Sequence, residues 1–313
     1  TRLVDVNNDN HYELLLARFA TLQLIGLGVG NSEYIQEWEY FLDAEPTTML
    51  IQDLDEDGED EVIVGTRDGR LHTLAVDRTI RWLHAPGEII SHLGRVRYAL
   101  GKSPRIAVVR RQRPPVDETV EGQATISWLE LRESTGERLW ETTIPDQVTS
   151  LLIDDQIGTG ESIILLGTQS GEVLAFNLDG NQIWEVSIGE QVGAVENLIA
   201  FNHTPGDPDA ILAVGEHAIV RLSPDNGDVF YSSLATLESP ISAVYPVQQP
   251  GSQELSVRLV VFTDDGQMHG FNHRGIEMSQ WTWPYPIGKQ PLVIEPSDVG
   301  AVEAFQENVT AFL

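Results

Sequence analysis

The chain has 313 residues, 41% of them hydrophobic, which is enough to bury a large core and excludes a disordered chain. Its formal charge of −29 excludes nucleic acid and anionic membrane surfaces as the main partner, because phosphate binding rests on basic neutralisation; cations and basic protein surfaces remain. With no cysteine, the chain has no disulfides, thiolate metal ligands or cysteine nucleophiles.

The first unit, residues 1–45, begins with "DVNNDNHYELLLA", and no initiator methionine, signal peptide or basic leader stands at Thr1. That start reads as a processed product or a piece of something longer. The apolar run from Leu14 to Gly30 is broken by Arg18, Thr21 and Gln23, which suits alternating strands and not a membrane span. "GLGVG" (Gly26 to Gly30) lacks GxGxxG spacing and a following helix, so it reads as strand and turn. The second unit, 46–87, holds "DLDEDGEDE", a like-charge cluster that repels itself unless a cation gathers it. "VIVGTRDGRLHTL" follows, two strands joined by a turn at Gly69.

The third unit, 88–145, is lengthened by "RRQRPPVDETVEGQ" (Arg110 to Gln123), read as a charged loop between second and third strands on the face opposite the acidic loops. Arg110, Arg111 and Arg113 are its candidate partner-binding residues, with a plain surface loop the equal alternative. In the fourth unit, 146–189, "DDQIGTGESIILLG" places Ile157 and Thr159 where oxygens would be needed, and "LGTQSGEVLAF" copies the earlier hairpin, with its turn at Gly171. Its serine is therefore a turn residue and not a nucleophile elbow. The fifth unit spans 190–238 and the sixth 239–288, where "WTWPYP" reads as a closing turn, with a sugar or peptide platform as the other reading. In the partial last unit, 289–313, "VGAVE" (Val299 to Glu303) repeats Val192 to Glu196. The eight histidines show no metal-ligand spacing.

Trp38, Trp82, Trp140, Trp184, Tyr231 and Trp281 recur at intervals of 44, 58, 44, 47 and 50 residues, several preceded by a turn glycine as in "TGERLW" and "DGNQIW". A period near 45 residues built of four short strands predicts an all-β fold, a single β-propeller of four-stranded antiparallel blades. Seven blades are expected, the last incomplete in this chain, with the aromatics packed on neighbouring blades.

Asp53, Asp55, Asp57 and Glu61 occupy positions 1, 3, 5 and 9 of a loop with Gly58 at position 6, a set of hard oxygen donors suited to Ca2+. Asp5, Asn7, Asp9 and Glu13 repeat that spacing. The two loops resemble the FG-GAP repeats of integrin-type propellers, whose DxDxDGxxD loops bind calcium between the first two strands. That resemblance implies one or two Ca2+ sites, each with a backbone carbonyl ligand at position 7, here Glu59 and His11. Glutamate at position 9 departs from the usual aspartate. The "TGERLW" and "LDGNQIW" units resemble PQQ-like propeller repeats, in which the tryptophan docks adjacent blades.

No catalytic or organic-cofactor residue is legible. The expected function is a non-catalytic, calcium-stabilised protein-interaction, adhesion or scaffolding module of a larger protein or assembly at the cell surface or outside the cell. It would bind a protein partner or the remainder of a longer chain, without nucleic acid or membrane insertion. The alternatives are a propeller enzyme, either quinoprotein dehydrogenase-like or a polysaccharide lyase, and a cytoplasmic assembly platform of trafficking type.

Overall fold

The computed structural model describes residues 2–4, 13–27, 34–75, 79–85, 87–96, 104–113, 125–154, 162–201, 210–247, 257–272 and 274–282. Among them, six four-stranded antiparallel sheets follow one another along the chain. The first holds β1 (Arg2–Val4), β2 (Glu13–Arg18), β3 (Thr21–Leu27) and β4 (Tyr34–Phe41); the second β5 (Pro46–Gln52), β6 (Glu61–Thr66), β7 (Leu71–Leu74) and β8 (Ile80–His84). The third holds β9 (Ile89–Val96), β10 (Arg105–Arg111), β11 (Ser127–Glu133) and β12 (Arg138–Ile144); the fourth β13 (Val148–Asp154), β14 (Ile163–Thr168), β15 (Glu172–Phe176) and β16 (Gln182–Ser187). After a single helical turn, α1 (Gly189–Val192), come β17 (Asn197–Phe201), β18 (Ala210–Val214), β19 (Ala218–Leu222) and β20 (Val229–Thr236). The sixth sheet is β21 (Ile241–Pro246), β22 (Leu259–Thr263), β23 (Gln267–Phe271) and β24 (Glu277–Thr282).

Strand order in every sheet is chain order, an up-and-down meander. The turns after β6 and β14 close through Gly69 N to Thr66 O at 3.1 Å and Gly171 N to Thr168 O at 3.2 Å, with both glycines at positive φ. β6, β14, β18 and β19 are buried at every position. Neighbouring sheets cover both faces of these middle strands, which is why their sequences are continuous apolar runs. The fourth strands β8 and β16 are largely exposed.

Five core clusters each join one sheet to the next. Leu22, Leu24 and Trp38 meet Val62 and Val64; Ile63 and Leu71 meet Ile90 and Ile106. Val109 and Leu129 meet Ile164, Leu166 and Leu174 across the third interface. Leu165 and Trp184 meet Ile211 and Val220, and Phe201 and Leu212 meet Leu259 and Val261. The first strands β5, β9, β13 and β17 lie beside one another and form the inner wall, so the sheets radiate as the blades of a β-propeller.

The recurrent tryptophans are the docking pins between blades. Trp82 Nε1 donates to Ser134 O at 2.8 Å, Trp140 Nε1 to Leu178 O at 2.8 Å and Trp184 Nε1 to Pro224 O at 2.9 Å, each acceptor lying in the turn before the fourth strand of the next sheet. The indole lies flat on that turn's glycine: a Cβ on Gly180, at φ +84, would stand 2.8 Å from Trp140 Cδ2. Gly180→Ala therefore meets both an unfavourable φ and the ring, and is expected to cost about 2 kcal/mol. Its denaturant midpoint against wild type measures this; a cost near zero would mean that the indole is not seated there. The side chains of Tyr231 and Trp281 and the partial last unit at 289–313 lie outside the described residues, as do 28–30 of "GLGVG" and 283–286 of "WTWPYP". No helix among the described residues is long and apolar enough to cross a membrane.

Candidate functional site

The acidic loop joins β5 to β6. Leu54, 3% exposed, anchors it in the core between the second and third sheets. Asp53 then ties the turn: its Oδ1 accepts from Glu56 N at 2.7 Å and its Oδ2 from Gly58 N at 3.0 Å. The loop bends through Glu56 at φ 63 and Gly58 at φ 91, which is the requirement behind the glycine. Asp57 Oδ1 accepts from Glu59 N at 2.8 Å. Glu61, the first residue of β6, is buried and turns back so that Oε2 accepts from Leu54 N at 2.8 Å.

Carboxylate oxygens of Asp53, Asp55 and Glu61 consequently lie within 4.8 Å of one another. Asp57 stands outside that trio, although the loop spacing counts it among the ligands; Glu59 enters the expected set only through its backbone carbonyl. Arg81, reaching from β8, places Nη2 3.0 Å from Asp55, 3.3 Å from Glu61 and 3.6 Å from Asp57. Burial pushes the Glu61 carboxyl above its ordinary value, and Asp55 and Asp57 push the same way, against the Leu54 N–H and Arg81. One guanidinium thus serves several carboxylates. The loop keeps a negative excess that a small divalent cation with oxygen ligands would relieve.

Of the earlier loop, Asp5, Asn7, Asp9 and His11 lie outside the described residues. Glu13 is described: it is 3% exposed and opens β2 as Glu61 opens β6. Ile157 and Thr159 also lie outside.

The three arginines proposed as a partner surface part company. Arg110 and Arg111 belong to strand β10 and not to a loop, which corrects the sequence reading; residues 114–124 lie outside the described part. Arg110 is buried at 5% exposure, where its guanidinium meets Glu88, Glu130 and Glu141 and lies 5.2 Å from the Trp128 ring centroid. Its Nε faces Glu130 Oε1 at ion-pair range without hydrogen-bond alignment. A neutralised, buried guanidinium cannot serve an incoming partner. Arg113 is exposed and donates to Asp68 O. Arg111 is partly buried and lines a cleft with Arg67.

The ion network around Arg110 is the feature that sequence reading missed. Fully buried Glu130 also holds Arg132, 1% exposed, through Nε at 2.7 Å and Nη2 at 2.5 Å, and Arg138 Nη1 bonds Glu141 at 2.6 Å. An open cavity of about 680 Å3 between the second and third sheets is lined by Arg110, Arg132, Arg138 and Glu141 of this network with His84 and Trp128. The available signal was "SWLELRE", whose Glu130 and Arg132 alternate onto one face of a strand.

The family described as outer membrane protein assembly factor BamB matches residues 58–215 and, overlapping, 122–291, and the chain belongs to this family of PQQ-like repeat propellers. No curated protein matches the sequence. Among solved structures, BBS1N in complex with ARL6DN superposes with a TM-score of 0.62 at 13% identity, over 91% of this chain and 81% of that one. Sqt1 from Chaetomium thermophilum gives 0.63 at 14% identity, over 86% and 71%. The same organism's Sqt1 bound to the N-terminus of ribosomal protein L10 gives 0.59 at 15% identity, over 84% and 69%. At such identities the similarity shows the fold, a β-propeller.

Proposed function

We propose that this chain is a non-catalytic protein-interaction module, a seven-bladed propeller stabilised by calcium and working within a larger exported or cell-surface assembly. The observation that carries the interaction reading is the rigid docking of consecutive sheets through Trp82, Trp140 and Trp184, which holds the loops at both ends of the wheel in fixed relation. The names of the BBS1N–ARL6DN complex and of L10-bound Sqt1 record protein complexes built on the same fold. A stoichiometric partner recovered with the purified chain supports this reading. Dye reduction after reconstitution with a quinone and calcium would replace it with a quinoprotein enzyme. Fractionation to the cytosol would favour an assembly platform there.

Calcium is proposed for the loop that resembles FG-GAP repeats, on the convergence of Asp53, Asp55 and Glu61 and the donor chemistry of the set. Arg81 competes for the same oxygens and is an internal stand-in for part of the metal's charge. Ca2+ at a hundredfold excess over its Kd should stabilise the fold by about 2.7 kcal/mol, and Arg81→Ala should bind it more tightly. Calorimetric titration and thermal melts with chelator check both. A melting temperature indifferent to chelator and to added Ca2+ ends the metal part of the proposal and leaves the interaction part standing.

A further inference from the structure

At the end of the wheel where the inner strands begin lies an open cleft of about 400 Å3. Thr47 of β5, Ser91 and His92 of β9 and Thr149 of β13 line it together with Arg67 and Arg111. In a chain with 48 acidic and 19 basic residues, no carboxylate is among the described residues that line this cleft. The hydroxyls are already committed to the backbone: Thr47 donates to Gly65 O at 3.0 Å, Ser91 to Val109 O at 3.2 Å and Thr149 to Val195 O at 2.6 Å. The guanidinium groups are what a ligand would meet.

Arg111 differs from Arg110 in its partners. Among the described residues its buried Nε has no hydrogen-bond partner, and no carboxylate pairs with its guanidinium. Arg110, one residue earlier, points to the opposite side of β10 and meets three glutamates. Arg67 is held by Glu45 at 2.6 Å, but both are more than half exposed, at 59% and 57%, so water screens that pair. A guanidinium donor removed from water with no acceptor is costly, and its planar fork matches the two oxygens of a carboxylate. The apolar Pro46, Ile89 and Val148 beside it suit the stem of a peptide residue better than a bare ion. The protein's overall negative charge is screened beyond about 8 Å at physiological ionic strength.

We infer that this cleft binds a carboxylate side chain from an acidic segment of a partner protein, with Arg111 as its bidentate anchor and Arg67 as a second donor. The inference rests on the interaction-module reading. The probe is the blocked peptide acetyl-Gly-Glu-Glu-Gly-amide, titrated into the whole chain at physiological salt and followed by calorimetry. Saturable binding is expected, weakened at least tenfold in Arg111→Gln with a melting temperature no lower than that of wild type, weakened in Arg67→Gln, and unchanged in Arg18→Gln on the first sheet. Absence of saturable binding, equal binding by Arg111→Gln, or displacement of the peptide by equimolar inorganic phosphate would overturn it. A partner protein captured equally by wild type and Arg111→Gln also overturns the cleft while leaving the interaction module intact. Arg111-dependent peptide binding in a chain found to turn over a substrate would uphold the cleft and retire the non-catalytic reading.

Discussion

Glu130→Gln is expected to lower stability by about 3–5 kcal/mol, the loss typical of removing one member of a buried ion pair. Glu130 is fully buried and is the carboxylate that holds Arg132, itself 1% exposed; Arg132 otherwise bonds Gly136 O at 2.8 Å. Without the charge, Arg132 is left in the interior with neutral acceptors only, the Gly136 carbonyl and the amide oxygen of the new side chain, while Arg110 keeps Glu88 and Glu141. The penalty is that of the stranded guanidinium and not the net worth of the pair. Removing both partners, in Glu130→Met with Arg132→Met, should therefore cost less than either single change, since the desolvation of both ions is avoided. Urea denaturation of wild type, Glu130→Met, Arg132→Met and the double variant measures the cycle. Additive losses would mean that the two charges are not coupled.

Acidification should produce the second large effect, through His92. Its Nε2 lies 3.1 Å from Thr149 O, an acceptor, so Nε2 carries the proton, and Ser91 Oγ lies 3.1 Å from Nδ1. Burial lowers its pKa from 6.5 to about 4; Arg111 adds to the shift, and the bond to Thr149 opposes it. The unfolded chain then takes up a proton near pH 6.5 that the folded chain refuses until about pH 4. The contribution is complete above pH 6.5 and is lost as pH falls towards 4, a swing of about 3 kcal/mol. Glu61 moves the other way: its raised pKa favours the folded state as the solution becomes more acid. His72 and His84 are also lowered by burial. Comparing denaturation of wild type and His92→Gln across this range isolates His92, because the other groups are common to both proteins. Parallel pH profiles would refute the assignment.

The propeller was legible because its signals are local. Apolar runs such as "VIVGT" and "IILLGT", the turn glycines Gly69 and Gly171 and the tryptophan after "TGERL" each specify a strand, a turn or a docking contact within a few residues. The acidic loop was legible for the same reason: Asp53 folds it through backbone N–H groups three and five residues away. Arg81 could not be read there, since it comes from β8, twenty residues beyond Glu61, and meets the loop only when the sheet forms. Arg110 and Arg111 were misread as one loop because runs of arginine and proline look alike in solvent and at the end of a strand.

By itself, the sequence determined the repeat, the strands, their turns and the position of the acidic bend, because each depends on backbone preference and side-chain period over short spans. The tertiary structure alone decided which charges are neutralised. The alternation of β10 sends Arg110 between two sheets into a cluster of glutamates and Arg111 to the inner cleft. Ion pairing depends on distance in space and on exclusion of water, and both are set only where separate blades meet.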